Sequence, residues 1–296
     1  MKLYYKLLSK NYNFQDYNYK INISCGRFKI LIAVLILLAF YCLCTPGYCE
    51  TKKLMIAGST SVQPIAEKLS EHFMQKYPDI KIEIQGGGSS AGVQAALSGA
   101  ADIGMSSREL TASESHLKTF IVAYDAIVMI VNPQNHIENI SRDEIRKIFA
   151  FDITAWNKIS ASSECGVITV LTREDGSGTR GAFEELIMGT VEIAARALVQ
   201  DSTGSIREIV ANDIDAIGYI SFGSLNQKVR ALAVDGIKPE TKSFTEADPS
   251  LKYKVIRPFL FLSKEEPQGA AREFMNYIRS EEGIAIIKAE GLVPVL

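Results

Sequence analysis

Leu54-Met55-Ile56-Ala57-Gly58-Ser59-Thr60-Ser61-Val62-Gln63-Pro64 is the stretch from which the fold is read. Four consecutive apolar residues suit a strand covered on both faces. Gly58 to Ser61 make a turn, and Pro64 is tolerated in the first turn of a helix because the N–H it lacks would have no partner there. Strand, small polar turn and helix form the unit of a largely parallel α/β sheet. Val62, Ile65, Ala66, Leu69 and Phe73 then share one helical face. Ile80, Ile82 and Ile84 alternate with Lys81 and Glu83, as in a strand with one covered face. Gly86-Gly87-Gly88-Ser89-Ser90 opens a small-residue helix through Val93, Ala96 and Leu97, and Ala101 to Met105 reads as another short strand.

The same alternation continues downstream. Ala126 to Val131 is a β-prone run that ends in Asn132-Pro133, and a first crossing between two lobes is expected there. Ser141 caps a helix carrying Ile145, Ile148 and Phe149, with Asp143 and Glu144 in the first turn where the helix dipole favours acids. Val167 to Leu171 leads as a strand into Thr172-Arg173-Glu174-Asp175-Gly176-Ser177-Gly178-Thr179, with a helix from Arg180. Ala216 to Ser221 is a further strand. Lys254 to Leu262 forms the return crossing, and two closing helices hold Phe274, Met275 and Ile278, then Ile284, Ile286 and Ile287. The expected organisation is a leader over 1–49, a first lobe over 50–128 plus 258–296, and a second lobe over 129–257. Two lobes joined by two strands can close on a ligand held between them.

The 296 residues, 47% of them hydrophobic, suffice for packed cores. The formal charge of -2 is unevenly spread. Residues 1–49 hold six basic side chains and one acid, which leaves 26 basic against 33 acidic in the body, a formal -7. Such a body is a poor nucleic-acid binder, and no nucleic-acid partner is expected. Any anion site must be locally positive within an acidic body. Arg27 and Lys29 precede an apolar run at 30–44 and then Thr45-Pro46-Gly47, the pattern of a secretory signal, with cleavage near Gly47 or Cys49. Export to the periplasm is expected; an uncut membrane anchor is the alternative. Cys25, Cys42, Cys44 and Cys49 belong to this leader, so Cys165 stands alone in the body and makes no intramolecular disulfide.

Three turns, Gly58–Ser61, Gly86–Ser90 and Gly176–Thr179, each join a strand to a helix. Helix starts expose unpaired N–H groups and about half a positive charge. Glycine lets the backbone approach an oxyanion, while serine and threonine add O–H donors. One such turn is ordinary capping; three in one chain, one of them beside Arg173, point to an anion cradle. A guanidinium offers forked donors that fit a tetrahedral oxyanion, and Asp175 is expected to fix its pose.

At these residues the chain resembles the PstS-type phosphate-binding proteins of phosphate ABC transporters, within the periplasmic binding proteins, over nearly everything after the leader. Gly58-Ser59-Thr60-Ser61 is similar to the family's first phosphate loop, Gly88-Ser89-Ser90 to its second, and Arg173-x-Asp175-x-Ser177-Gly178-Thr179 to its second-lobe loop. Ile145-x-x-Ile148-Phe149 with Trp156, and Ala216-Ile217-Gly218-Tyr219-Ile220, agree as well and are expected to serve packing. The resemblance implies a type II α/β binding protein: two Rossmann-like lobes joined by two crossing strands, monomeric and without cofactor, passing inorganic phosphate to a membrane permease. It implies phosphate contacts from Thr60, Ser61, Ser89, Ser107, Arg173, Ser177, Gly178 and Thr179, with Ser59, Ser90, Arg108 and Asp175 as accessory candidates. The family's well-studied members carry an aspartate where this chain has Ser107. A serine oxygen still accepts a hydrogen bond, but without charge it repels fully ionised sulfate less. Arg108 is expected either at the cleft rim or paired with Glu109 or Asp102, and Asp102 itself as a structural acid.

No catalytic pattern competes. His72, His116 and His136 have no metal-site spacing, and no metal is expected. Ser177 lacks a nucleophile elbow, and no Gly-x-x-x-x-Gly turn leads to a phosphate-cradling lysine. The alternatives left open are a receptor for sulfate or molybdate, and a secreted or surface-retained phosphatase or phosphate sensor.

Overall fold

The computed structural model describes residues 51–161 and 165–295, together with Ile30, Ala33 and Val34. The expected signal or anchor segment at 30–44 therefore lies outside the described residues apart from those three, which are helical. No helix among the described residues is long and apolar enough to cross a membrane.

Residues Thr51–Leu296 form one compact unit. β1 (Lys52–Gly58) lies between β2 (Ile80–Gly86) and β3 (Ile103–Ser106), parallel to both, with Gly58 facing Gly86 on one side and Met105 on the other. Helices α1 (Gln63–Lys76) and α2 (Ser89–Ser98) connect them. The three strands therefore end at the same edge, which places the Gly58, Gly86 and Ser106 turns side by side. Pro64 occupies the first turn of α1, as its missing N–H requires. α2 starts from Gly88, whose φ of 88° is unfavourable for any residue with a Cβ.

β4 (Lys118–Val131) is much longer than the expected Ala126–Val131 run. Its first half pairs antiparallel with the return strand, and its second half pairs antiparallel with a different strand, so one segment belongs to two packing environments. After β5 (Asn139–Ile140), Ser141 caps α3 (Arg142–Phe149) through a capping box with Glu144. β6 (Thr169–Arg173) starts two residues later than expected and runs to Arg173, because Val167 instead makes an isolated antiparallel bridge with Ala155. α4 (Gly178–Phe183) starts two residues before Arg180, capped by the Ser177 hydroxyl, and continues as a π-helical segment over Glu184–Met188. β7 (Leu198–Gln200) and β8 (Ala216–Ser221), linked by α5 (Thr203–Asn212), flank β6 in parallel. The short strands β9 (Arg230–Ala231) and β10 (Ala233–Val234) and the helix α6 (Thr241–Phe244) precede the return strand β11 (Ile256–Ser263). α7 (Gly269–Ile278), α8 (Glu281–Ala289) and β12 (Val293–Pro294) close the chain. The sheet path is β2-β1-β3-β11-β4-β8-β6-β7, with β9 and β12 also on β4.

Two large hydrophobic cores and a smaller cluster around Val93 and Leu260 lie along this path among the described residues. One contains Ile56, Leu69, Phe73, Ile103, Phe261 and Phe274, with Phe73 edge-on to Phe274 at 5.2 Å between ring centroids. The other contains Val128, Ile145, Phe149, Leu171, Ile206 and Tyr219, where the Phe183 and Tyr219 rings stack at 4.0 Å. Trp156 is fully buried in the second core and donates from Nε1 to the Asp215 carbonyl at 2.9 Å, a packing role.

Candidate anion-binding site

Strand ends decide what meets what. β1, β2 and β3 deliver Ser59, Thr60, Ser61, Ser89 and Ser107 to one edge; β6 and β7 deliver Arg173 and Gln200 in register, followed by Ser177, Thr179 and Thr203. Crevices outside the carboxyl ends of strands are where open α/β sheets hold ligands. The two groups of turns touch: Ser90 N–H donates to the Gly176 carbonyl at 3.1 Å, and Ser61 Oγ lies 2.8 Å from Thr179 Oγ1 and 2.9 Å from Thr203 Oγ1. Thr203 N–H reaches Thr60 Oγ1 at 3.5 Å.

Ser107 sits among the hydroxyls of the first two turns. Its Oγ accepts from Ser59 Oγ at 2.9 Å and lies 3.4 Å from Ser89 Oγ, while its N–H donates to Ser89 Oγ at 3.0 Å. Ser59, Ser61, Ser89, Ser107, Arg173, Ser177 and Thr179 are all buried; Thr60 and Ser90 are half-buried. Gly178 is required by proximity. A Cβ there would stand 2.8 Å from Ser89 Cβ and 2.9 Å from Ser107 Oγ, and closer still to Ser89 Oγ.

Arg173 is the cationic side chain next to the Ser61, Thr179 and Thr203 hydroxyls, with 1% of its surface exposed. Nε and Nη2 each donate to a Glu174 oxygen at 2.9 Å, Nη2 also to the Asp201 carbonyl and Nη1 to Thr203 Oγ1, both at 3.2 Å. Its own N–H donates to the Tyr219 hydroxyl at 3.2 Å, which lies 2.8 Å from Thr172 Oγ1. Burial pushes that phenol up to about 12, so it stays protonated. The carboxylate that fixes the guanidinium is thus Glu174, not Asp175. The Asp175 side chain is 93% exposed and pairs with Arg180 at 2.5 Å. Arg108 likewise makes its carboxylate pair with neither of its expected partners. It grips Glu114 with two bonds of 2.8 and 2.9 Å, holding the Glu114 carboxyl down at about 2, and donates only to the backbone carbonyl of Glu109. Asp102 has the structural role expected of it, accepting from Met55 N–H at 2.8 Å.

Three participants escape a reading by motif: Thr203, Asp125 and Arg257. Ser202-Thr203-Gly204-Ser205 ahead of Ile206, Ile209 and Val210 repeats the small polar turn of the other three, and that signal was available. Asp125 and Arg257 are lone charges within the apolar crossing strands. No group of three or more His, Cys, Asp or Glu residues able to hold a metal occurs among the described residues.

A model of the PBP superfamily domain matches residues 45–282. The phosphate-binding protein PstS of Bacillus subtilis is 34% identical over 250 residues, covering 82% of this chain and 80% of that protein. A Clostridium perfringens protein, solved with bound phosphate and assigned as a phosphate ABC transporter substrate-binding protein, is 37% identical. It superimposes with a TM-score of 0.78 over 83% of this chain and all of its own. An ABC-type phosphate transport receptor from Vibrio cholerae, 33% identical, gives 0.65 over 82% of this chain and all of its own. These matches share the curled mixed sheet of the type II binding-protein fold. The chain belongs to the PstS phosphate-binding protein family within the PBP superfamily.

Proposed function

We propose that this chain is an extracytoplasmic, non-enzymatic receptor that captures inorganic phosphate between a lobe over 50–128 plus 258–296 and a lobe over 129–257, and delivers it as a monomer to the permease of an ABC importer. The observation that carries this is the meeting of Ser61, Thr179 and Arg173, donors from opposite groups of strand ends, in one buried cluster. Thr60, Ser61, Ser89, Ser107, Arg173, Ser177, Gly178 and Thr179 form the proposed contact set. Several hydrogen bonds to an ion, each worth roughly 1.5–3 kcal/mol, suffice for micromolar binding after the entropy of capture. The names of the relatives support phosphate as cargo and an ABC transporter as partner, and the basic flank and apolar run at 30–44, as signal or anchor, support an exported location.

Calorimetric titration of the purified chain with phosphate, arsenate, sulfate and molybdate tests this. Tight phosphate binding with weaker sulfate is expected, and tighter sulfate than phosphate would overturn it. The second reading, a receptor for another oxyanion, draws on Ser107: the proposed contact set contains no acidic side chain that would repel a fully ionised oxyanion.

A further inference from the structure

We propose that Thr203, at the start of α5, is a further anion-contacting donor, so that the site is built from a fourth turn, Asp201-Ser202-Thr203. The inference rests on the phosphate-receptor reading and deepens it. Thr203 is 3% exposed, and its hydroxyl lies at the meeting point of the two groups of strand ends, 2.9 Å from Ser61 Oγ and 3.2 Å from Arg173 Nη1.

Proton accounting gives the cluster its chemistry. A guanidinium only donates, so Arg173 occupies a lone pair of Thr203 Oγ1 and turns the Thr203 proton outward. Ser61, Thr179 and Thr203 bring three hydroxyl protons, and their two mutual contacts use two of them. Around Arg173 the bonds to Glu174, Asp201 and Thr203 engage four of its five N–H groups and leave the second Nη1–H. Two donors, one hydroxyl proton and the second Nη1–H, are therefore left over by these bonds within one buried cluster. The complement is a group with several lone pairs and few protons, which describes a tetrahedral oxyanion. A hydroxyl polarised by an adjacent guanidinium is a stronger donor than an isolated one. Thr203 also opens a ten-residue helix, and its own N–H lies 3.5 Å from Thr60 Oγ1.

The test compares phosphate titrations of the purified wild-type chain with those of Thr203→Val, which keeps the shape and removes the hydroxyl, Thr203→Ala, which removes it without adding a methyl, and Thr203→Ser, which keeps it. Urea unfolding without phosphate accompanies each. The expected result is a loss of about 10- to 100-fold in affinity for Val and Ala, with unfolding midpoints near wild type, and retention within about threefold for Ser. Wild-type affinity in either Val or Ala, or a loss in Ser as large as in both, overturns the inference while leaving the phosphate reading intact. A wild-type chain that binds no phosphate overturns that reading and this inference with it.

Discussion

Arg257 stands directly opposite Asp125 across the two long strands β11 and β4, and donates to a single Asp125 oxygen from Nε at 3.2 Å and from Nη2 at 3.1 Å. Its third nitrogen, Nη1, donates to the Ser107 carbonyl at 3.0 Å, and the other Asp125 oxygen accepts from Ser221 Oγ at 2.9 Å. Both side chains are almost fully buried. Burial drives the Asp125 carboxyl upward and Arg257 draws it back. The pair thus joins the strands that link the two cores to the turn that carries Ser107.

Removing one partner leaves the other buried and uncompensated. Asp125→Asn and Arg257→Met are each expected to cost about 3–5 kcal/mol, and the double replacement less than their sum, because the second change removes the orphaned charge. Urea unfolding of the four proteins measures this. Simple additivity would show that the two charges do not depend on each other.

Arg173→Ala should lose most phosphate affinity, at least about tenfold. Arg173→Lys should recover only part, since one ammonium cannot hold Glu174, Asp201 and Thr203 together. Calorimetry reads both, with unfolding curves as a control for the fold. Unchanged affinity in the alanine variant would make Arg173 a structural residue.

Glu114 supplies a pH dependence whose sign is fixed by its environment. Two bonds from Arg108 lower its carboxyl from the ordinary 4.5 to about 2. The native state then binds fewer protons than the unfolded chain between those values, so the pair's contribution is present above about 4.5 and is lost as pH falls toward 2. Glu114→Gln should lower stability by on the order of 1 kcal/mol at pH 7 and by much less at pH 2. An equal cost at both pH values would disprove the assignment.

Ser107→Asp places a carboxylate beside the Ser59 and Ser89 hydroxyls. It should raise the ratio of phosphate to sulfate affinity by about tenfold or more, because a carboxylate accepts the proton of hydrogen phosphate and repels an anion that has none. A constant ratio by competition calorimetry would put position 107 outside the selecting contacts.

Much of this was legible in the sequence because each strand-to-helix turn announces itself locally. Apolar Leu54–Ala57 followed by Gly58 and Ser59, or Leu171 followed by Arg173 and Ser177, is a short-range pattern. What was not legible depends on direction and distance. Whether Glu174 or Asp175 turns toward Arg173 is decided by the dihedral angles of the turn, and the pairing of Asp125 with Arg257, 132 positions away, by the register of β4 against β11. Thr203 lies between: its turn chemistry is visible, but its approach to Ser61, 142 positions away, exists only in the folded chain.

Gly178 tests the proximity of the turns without removing any polar group. A Cβ at that position would press on Ser89 and approach Ser107 Oγ to 2.9 Å, whereas at Gly181, three residues along the same helix, it would meet only Arg108 Cδ at an ordinary 3.4 Å. Gly178→Ala must therefore push the Ser177–Thr179 turn away from Ser89, widening every contact that spans the two groups of strand ends, including Ser61 to Thr179. Hydrogen bonds weaken steeply beyond about 3.2 Å, so affinity should fall by about 100-fold or more. Neither core is entered, and the unfolding midpoint without phosphate should move far less than the affinity. Gly181→Ala should bind as wild type. Equal affinities for the two alanine variants would mean that the turns need not touch for phosphate to be held.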